Sequence, residues 1–290
     1  MTQPELLSGL SAIAGQYDAL FCDIWGVLHN GRQHFPPAYE ALKRFKAEHG
    51  PVILISNSPR PDDSLILQLQ SLGIEDDGFS AVVSSGDATR AYLRAFAPSG
   101  PAWRIGDLRE QSLYAGINID LDGTPETAAF ISCSSPFHDE TDTLDMYEAE
   151  FAVAAARNLV MICANPDKVV QRGDKIIMCA GSLADLYASM GGEVIMAGKP
   201  YAPIYEMCYA ELDRLLGRPH DRSRILAIGD GLPTDVLGAN GQGLDLVFVA
   251  AGIHAVEATD SSGALDPRLL KKLLDAQAAE ARYVAEALRW

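Results

Sequence analysis

Four positions in the sequence each follow a short apolar run, and their side chains are of complementary chemical types. They are Asp23, Ser56, Lys199 and Asp230. Carboxylates bind hard cations such as Mg²⁺, a hydroxyl donates hydrogen bonds to anionic oxygens, and an ammonium neutralises negative charge that moves during a reaction. A lone aspartate after a strand is more often a turn or helix-capping residue. Four such positions with these side-chain types favour a phosphoryl-transfer site.

The carboxylates predict a magnesium site. Asp23 and Asp230 can hold one cation through carboxylate oxygens, which are the ligands that Mg²⁺ prefers in proteins. Asp235 lies five residues after Asp230, close to the start of the next predicted helix. It is therefore a candidate third ligand, or a partner that orients a ligand.

The polar residues after the second apolar run predict an anion-binding turn. The Ser56 hydroxyl and the backbone N–H groups of Asn57 and Ser58 lie near a predicted helix start. Groups in that position can donate hydrogen bonds to phosphate oxygens. Lys199 can neutralise the same phosphate or the neighbouring carboxylates. We therefore expect these groups to surround a bound phosphoryl group.

Short apolar runs alternate with helical patterns along the chain, which predicts βαβ units and a parallel sheet. Strands are predicted at 19–22, 52–55, 81–83, 194–197, 225–228 and 246–250. Helices are predicted at 38–46, 62–72, 203–216, 234–240 and, as one long amphipathic helix, 265–288. In open parallel sheets, ligands bind beyond the carboxyl ends of the strands, and the candidate site residues fall at those ends.

A segment of roughly a hundred residues between these elements has strands and helices of its own. Strands are predicted at 103–105, 128–131 and 159–162, and helices at 142–157 and 182–190. The sequence therefore predicts an α/β fold with a doubly wound, Rossmann-like parallel-sheet core. The core is expected from residues 1–85 and 193–290, with an α/β cap domain, 86–192, inserted between them.

Four short motifs, in chain order, resemble those of the haloacid-dehalogenase-like hydrolase superfamily. They are FCDIWGVLHNG at 21–31, ILISNS at 53–58, GKP at 198–200 and GDGLPTD at 229–235. Two further stretches, SSGDATRAYL at 84–93 and CANPD at 163–167, are similar to its nitrophenyl-phosphatase and nucleotide-phosphatase subgroup. That subgroup carries a large cap between the second and third motifs. The resemblance implies a Mg²⁺-dependent hydrolase with a core and a cap.

The resemblance also implies a role for each residue of the site. Asp23 would attack phosphorus and form an aspartyl-phosphate, and Lys199 would stabilise the charge on the transferring group. Mg²⁺ would be held by Asp23, by the backbone carbonyl of Trp25 and by Asp230. Asp235 would orient metal-bound water or Lys199.

The substrate implied by this resemblance is a small phosphorylated metabolite. Ser56 and Asn57 would bind its phosphoryl group, and the cap would close over the site and select the leaving group. Asn165 and Asp167 are candidates to face the substrate from the cap side, and the alternative is an ordinary turn built on Asn-Pro-Asp. Arg60 is a candidate phosphate contact, and the alternative is a solvated residue at a helix entry.

The sequence departs from the superfamily at Trp25. Phosphatases of this family have an aspartate there, which protonates the leaving group and then activates water, whereas an indole cannot exchange a proton at a useful pKa. The sequence predicts that metal and phosphate binding survive and that catalysis is slow or restricted to good leaving groups.

Two alternatives to this function stay open. One is an aspartyl-nucleophile hydrolase or transferase with a non-phosphatase substrate, and the other is a catalytically impaired module that binds phosphate and metal.

Two side chains near this departure have more than one interpretation. His29 lies six residues after Asp23 and is either a replacement acid/base or a solvated loop histidine. The Trp25 ring either stacks on an aromatic leaving group or is a packed, half-buried indole. The sequence does not identify a replacement for the missing carboxylate.

The composition excludes several classes of partner. The 290-residue chain has 23 Lys and Arg against 39 Asp and Glu, a formal net charge of −16, which opposes binding to nucleic acids and anionic membranes. No apolar stretch approaches the ~18 residues of a membrane span, and residues 1–16 lack the pattern of a signal peptide. The five cysteines show no CxxC spacing and are expected to be reduced. We therefore expect a cytoplasmic protein, for which a homodimer is a candidate assembly.

Overall fold

The computed structural model describes residues 4–173, 175–251, 254–260 and 264–290. Its strands are β1 (Glu5–Leu6), β2 (Ala19–Asp23), β3 (Val52–Ser56), β4 (Ala81–Ser84), β5 (Ala102–Ile105), β6 (Phe130–Cys133), β7 (Val160–Cys163), β8 (Val169–Arg172), β9 (Lys175–Met178), β10 (Glu193–Met196), β11 (Ile225–Gly229), β12 (Asp245–Val249) and β13 (Tyr283–Ala285).

The α-helices of the same residues are α1 (Pro36–Glu48), α2 (Asp62–Ser71), α3 (Ser85–Phe96), α4 (Glu148–Ala156), α5 (Ala180–Ser189), α6 (Ala202–Leu216), α7 (Leu237–Gln242), α8 (Ala255–Ala258) and α9 (Pro267–Ala276). Two other helical segments bear on the site. They are a 3₁₀ helix, Leu108–Tyr114, and a π-helical turn, Leu232–Val236. Among the described helices, none is long and apolar enough to cross a membrane.

Within the described residues, seven parallel strands form the main sheet, in the order β1-β13-β12-β11-β2-β3-β4. Alternate residues of β2 point to opposite faces. Leu20 and Cys22 join an apolar cluster with α1 and α2. Ala19 and Phe21 join another with α6, α7 and α9. Helices thus cover both faces, as parallel sheets require, and the predicted doubly wound α/β fold is confirmed.

The second sheet has four parallel strands in the order β10-β7-β6-β5. Phe151 of α4 and Leu183 of α5 pack on one of its faces, and Leu93 of α3 packs on the other. β8 and β9 pair with each other as an antiparallel hairpin. Apart from β10, these elements lie in the segment predicted to be the cap, and its independence as a domain remains a prediction.

The prediction that residue 193 returns the chain to the core sheet is wrong. β10 pairs with β7 in the second sheet, with Val194 opposite Met161. An apolar run predicts a strand of a parallel sheet, and both sheets are parallel and pack against helices, so the pattern does not distinguish between them. The chain leaves the second sheet after Met196 and reaches α6, which packs on β3 and β4 of the main sheet.

The predicted helix over 265–288 is wrong beyond its first half. α9 ends at Ala276, and Ala278 has a φ of 49°, a left-handed conformation that cannot continue a helix. The chain then forms β13, whose Tyr283 and Val284 are buried between β1 and β12. The alanine-rich composition favours a helix locally, but burial and strand pairing decide the outcome here.

The strand order of the main sheet brings the predicted site residues together. β2 ends at Asp23, β3 ends at Ser56 and β11 ends one residue before Asp230. These three strands are neighbours in the order β11-β2-β3. Because neighbouring parallel strands end at the same edge of a sheet, the three side chains converge there.

Replacing Ala278 by glycine is expected to raise the free energy of unfolding by up to about 1 kcal/mol. A left-handed residue with a Cβ costs ~1–2 kcal/mol, and the greater freedom of glycine in the unfolded chain offsets part of the gain. Chemical denaturation measures the effect. The matched control is Ala276→Gly at the exposed end of α9, which is expected to lower the same free energy by ~0.5–1 kcal/mol. Equal effects of the two substitutions would contradict the strain at Ala278.

Candidate active site

Lys199 lies at the centre of a buried group of charged side chains. Its Nζ donates to Asp23 Oδ1 at 2.5 Å and to Asp235 Oδ1 at 2.6 Å. It also donates to the backbone carbonyl of Ile55 at 3.3 Å. Lys199 is 2 % exposed, and both aspartates are buried. The two residues predicted to be catalytic, Asp23 and Lys199, are therefore joined by a charge-assisted hydrogen bond.

Burial and neighbouring charges act in opposite directions on this pair. Burial raises the pKa of the Asp23 carboxyl well above its ordinary value, and the Asp235 carboxylate raises it further, while Lys199 lowers it. Burial disfavours the charged form of Lys199, but Asp23 and Asp235 outweigh this and raise the pKa of Lys199. Lys199 is therefore an ammonium at physiological pH, so it acts as fixed positive charge and not as a base.

Three carboxylates converge where a cation would bind. Asp23, Asp230 and Asp235 are buried, and each places an oxygen within 4.8 Å of the others. Together with Lys199 they form a cluster of three carboxylates and one ammonium, whose surplus negative charge a divalent cation offsets. A small buried site lined by carboxylate oxygens fits Mg²⁺.

Two glycines leave room for these carboxylates. Gly26 has a φ of +86°, and a Cβ there would lie 2.2 Å from Asp230 Oδ2. Gly231 N–H donates to Asp235 Oδ2 at 3.0 Å, just before the π-helical turn. The loop after β2 therefore passes directly beside Asp230. This proximity would allow one cation to be held by the loop and by Asp230 together.

Asn57 joins three segments through its side-chain amide. Nδ2 donates to Asp167 Oδ1 at 2.8 Å and to the Lys199 carbonyl at 3.1 Å. Oδ1 accepts the Lys199 backbone N–H at 2.7 Å. A Cβ at Gly198 would lie 2.5 Å from this Oδ1, so the residue before Lys199 has no room for a side chain. The amide positions its neighbours, which leaves the Asn57 backbone N–H for the predicted phosphate contact.

Ser56 and Ser58 border the same cavity as Asp23. Ser56 Oγ accepts the Ser58 N–H at 3.2 Å, and Ser58 Oγ accepts the Arg60 N–H at 3.3 Å. Both hydroxyls keep their own proton for donation, because each accepts in these bonds. Their contact with a phosphate remains a prediction.

The Trp25 side chain lies between the site and the β8–β9 hairpin. Its Nε1 donates to the Gln171 carbonyl at 2.7 Å. Its ring contacts His29 edge-on, with 5.0 Å between ring centroids, and a Cβ at Gly31 would lie 2.5 Å from Trp25 Cη2. Trp25 is half-buried and borders the cavity. The interpretation as a packed indole therefore agrees with the structure.

The interpretation of His29 as a solvated loop residue is wrong, because its side chain is enclosed. His29 is 2 % exposed, and its Nδ1 accepts the Gly31 N–H at 3.0 Å. Burial lowers the pKa of His29 to about 4. A neutral, enclosed imidazole is a poor source of a proton for a leaving group.

The Asn-Pro-Asp sequence forms a turn and also borders the cavity. Asn165 Oδ1 accepts the Asp167 N–H at 3.0 Å, and the Asp167 carbonyl accepts the Gly181 N–H at 3.0 Å. A Cβ at Gly181 would lie 2.2 Å from the Pro166 carbonyl oxygen, so α5 begins against this turn. Asn165 and Asp167 both line the cavity. Substrate contact by Asn165 remains a prediction.

A cavity of about 480 Å³ extends from the carboxylate cluster to elements of the second sheet. Arginine and acidic side chains line its far wall. Arg172 donates to Asp139 at 2.7 Å and Arg109 donates to it at 3.2 Å. Arg60 lies 3.4 Å from Glu110. The wall therefore combines donors and acceptors in ion pairs.

The sequence patterns did not identify this far wall. Arg109, Glu110 and Asp139 lie in short 3₁₀ or irregular segments, where no periodicity marks the residues that face a cavity. Arg172 ends β8, and a hairpin signal was present there, since Gly173 and Asp174 separate two short strands in the sequence. That signal predicts a hairpin, but it does not predict that the hairpin contacts Trp25.

Sequence profiles match two parts of the chain. A profile described as haloacid dehalogenase-like hydrolase matches residues 20–120, and a second HAD-hydrolase-like profile matches residues 196–276. The first range contains Asp23 and Ser56, and the second contains Lys199. Both ranges thus include the ends of strands at which the buried cluster lies.

Proteins similar to this chain include a bacterial hydrolase and two phosphatases. A hydrolase of the haloacid dehalogenase-like family from Brucella suis 1330 is 38 % identical, with a TM-score of 0.86 over 98 % of this chain and 99 % of that chain. The p-nitrophenyl phosphatase from Archaeoglobus fulgidus shares the fold, at 19 % identity and a TM-score of 0.66 over 93 % of this chain and 96 % of that chain. A D-glycerol 3-phosphate phosphatase from Mycobacterium tuberculosis is 25 % identical over 85 % of this chain, which spans 66 % of the length of that relative.

Gly26→Ala is expected to abolish stabilisation by Mg²⁺, because the new Cβ would press against Asp230. A ligand that binds only the native state raises the melting temperature, so thermal unfolding with and without MgCl₂ measures the loss. The control is Gly116→Ala, which has a φ of +70° but no atom within 4 Å of the new Cβ. It carries similar backbone strain and should keep the Mg²⁺-dependent shift. An undiminished shift in Gly26→Ala would mean that Asp230 is not a ligand.

Trp25→Phe keeps an aromatic ring but removes the N–H that Gln171 accepts. The hairpin then loses a hydrogen bond worth about 1 kcal/mol, so amide exchange in β8 and β9 should become about five times faster. Hydrogen–deuterium exchange with mass spectrometry measures this rate. The control is Trp290→Phe, because Trp290 packs on the apolar cluster that contains residues of α1 and α2. Unchanged exchange in the hairpin would show that Trp25 does not hold it.

Proposed function

Because the chain belongs to the haloacid dehalogenase-like hydrolase family, we propose that it is a Mg²⁺-dependent phosphatase of small phosphorylated metabolites. The reaction would proceed through an aspartyl-phosphate at Asp23. The observation that carries the proposal is the bond from Lys199 to Asp23 within a buried carboxylate cluster that can hold a cation. Phosphoryl transfer needs a nucleophile, a cation and fixed positive charge, and this cluster offers all three.

Asp23 is the proposed nucleophile. Lys199 holds one of its oxygens, so the carboxylate has a fixed orientation at the border of the cavity. Attack forms a bond from Asp23 to phosphorus and breaks the bond from phosphorus to the leaving oxygen. Water then attacks phosphorus, the bond to Asp23 breaks and phosphate leaves. The ammonium stabilises the negative charge in both steps.

Asp23, the Trp25 carbonyl and Asp230 are the proposed ligands of Mg²⁺. When bound, the cation would neutralise phosphoryl oxygens and favour the ionised form of Asp23, which burial opposes. The oxygens of Asp235 accept from Lys199 at 2.6 Å and from the Gly231 N–H at 3.0 Å. These bonds support Asp235 as the residue that orients Lys199.

Groups at the end of β3 are the proposed binding site of the phosphoryl oxygens. The hydroxyls of Ser56 and Ser58 and the Asn57 backbone N–H border the cavity beside Asp23. The Asn57 side chain fixes the Lys199 backbone through two hydrogen bonds. The same residue therefore supports both the phosphate turn and the ammonium, which favours a single phosphoryl site between them.

The leaving group is proposed to be small and hydroxylated. The cavity wall opposite Asp23 pairs the guanidinium groups of Arg109 and Arg172 with the carboxylate of Asp139. Such a wall offers hydrogen-bond donors and acceptors without a strong excess of one charge, which suits hydroxyl groups. The similar mycobacterial protein, a D-glycerol 3-phosphate phosphatase, has a substrate of this class.

Hydrolysis of p-nitrophenyl phosphate tests the proposal. Wild-type protein is expected to release p-nitrophenolate only when Mg²⁺ is present, and chelation of the metal should stop turnover. Asp23→Asn should reduce turnover to background, because an amide cannot attack phosphorus. Absorbance of the released phenolate measures the rate. Asp18→Asn, which removes a partly exposed carboxylate paired with Arg224, is the matched control and should keep the activity.

The outcomes separate the proposal from its alternatives. Activity that survives in Asp23→Asn would overturn the mechanism. Wild-type protein that binds Mg²⁺ and phosphate but never turns over would favour a binding module, the alternative that the indole at Trp25 leaves open.

A further inference from the structure

The proposed reaction needs a proton for the leaving oxygen, and Trp25 cannot supply it. Its indole N–H donates a hydrogen bond to the Gln171 carbonyl. An indole does not exchange this proton at a useful pKa. The neighbouring His29 is neutral and enclosed. If the leaving group is an alkoxide, another group at the cavity must carry the proton.

Four carboxyl groups outside the cation cluster border the cavity among the described residues: Glu110, Asp139, Glu140 and Asp167. Three of them are paired with a cationic side chain, although burial outweighs the effect of Arg60 and raises the pKa of Glu110. The pairs are Arg60–Glu110, Arg109–Asp139, Arg172–Asp139 and Lys175–Glu140. Asp167 differs, because its side-chain donor in the described part of the chain is a neutral amide.

The position of Asp167 is fixed next to the phosphoryl site. Its Oδ1 accepts Asn57 Nδ2 at 2.8 Å, and the same Nδ2 donates to the Lys199 carbonyl. Lys199 in turn holds Asp23 through its ammonium. The Gly181 N–H donates to the Asp167 carbonyl at 3.0 Å, which holds the backbone of the turn. One amide and one lysine therefore connect this carboxyl to the nucleophile.

The surroundings of Asp167 favour a carboxyl that can exchange a proton. Burial raises the pKa of Asp167, and this effect exceeds the lowering by Lys199 and by the amide hydrogen bond, while Asp235 raises the pKa further. Among the described residues, the thiols of Cys163 and Cys179 also interact with Asp167. Burial raises the pKa of both thiols, so they are neutral at physiological pH.

We propose that Asp167 is the general acid and base of this hydrolase, in place of the carboxylate that Trp25 replaces. The inference rests on the proposed phosphatase function. In the first step Asp23 bonds to phosphorus, the bond from phosphorus to the leaving oxygen breaks, and the Asp167 proton moves to that oxygen. In the second step the Asp167 carboxylate takes a proton from the attacking water, the bond from phosphorus to Asp23 breaks, and phosphate leaves. Asp167 is then protonated again.

The assignment predicts how the rate depends on pH and on the leaving group. Asp167 must be protonated for the first step, so kcat/KM for an ester with a poor leaving group falls as pH rises through the pKa of Asp167. An ester whose leaving group is stable as an anion needs no proton at that step. Its kcat/KM should therefore depend little on Asp167.

The experiment compares phenyl phosphate with p-nitrophenyl phosphate, two esters of similar shape and different leaving-group stability. Asp167→Asn keeps an acceptor for the Asn57 amide but has no acidic proton to give to a leaving group. It should lower kcat/KM about 10²–10⁴-fold for phenyl phosphate and much less for p-nitrophenyl phosphate. It should also remove the fall in kcat/KM at high pH and produce a burst of p-nitrophenolate, because water attack on the aspartyl-phosphate slows.

Two further variants keep the test independent of folding. Asp167→Glu retains a carboxyl and should keep the ratio of the two rates close to the wild-type value, whereas Asp167→Asn should change it. Asp185→Asn removes an exposed carboxylate paired with Lys168 beside the same turn, and the ratio of the two rates should stay at the wild-type value. Thermal unfolding of each variant reports its folding.

The outcomes distinguish this assignment from the proposed function. Turnover that depends on Asp23, with equal losses or no loss for both esters in Asp167→Asn, would overturn the role of Asp167 alone. A wild-type protein without Asp23-dependent turnover of either ester would overturn the phosphatase function and this assignment together. A selective loss for phenyl phosphate supports both.

Discussion

The rest of the structure depends on one buried interaction, the ammonium of Lys199 held between the carboxylates of Asp23 and Asp235. Removing charges from water is costly, and deleting one member of such a pair typically costs about 3–5 kcal/mol because the other is left unpaired. The interaction therefore ties together the end of β2, the connection from β10 to α6 and the turn after β11. The same bonds that hold these segments together also orient Asp23, the proposed nucleophile. The contacts of Lys199 with Asp23 and Asp235 therefore serve both the stability of the fold and the proposed reaction.

The two sheets contribute different parts of the cavity. The carboxyl edge of the main sheet carries the charged cluster, whereas the second sheet and the hairpin contribute the wall that a leaving group would meet. Hydrogen bonds join the two parts at the Trp25–Gln171 and Asn57–Asp167 contacts. Both begin in loops that directly follow strands of the main sheet. The two parts of the cavity are therefore joined at the loop after β2 and at the loop proposed to bind the phosphoryl group.

The indole of Trp25 changes what the loop after β2 does. A carboxylate at that position would serve proton transfer, whereas the indole serves packing, because its N–H and ring contact the hairpin and His29. On the proposed assignment, proton transfer moves to Asp167, which Asn57 holds at the border of the same cavity. The cluster around Lys199 is unaffected by this exchange, since it uses none of the Trp25 side chain. Metal and phosphate binding can thus be retained while the source of the proton changes.

The sequence alone determined the parallel α/β fold and the buried cluster, because an apolar run that ends in a polar residue marks the end of a strand within a few positions. Asp23, Ser56, Lys199 and Asp230 were all identified in this way. Only the tertiary structure decided that β10 joins the second sheet, that β13 replaces the end of a predicted helix, and that arginines and acids form the far wall. These features depend on which distant segments pair and bury one another. No local pattern contains that information, because the free energy gained belongs to the pair of segments and not to either one.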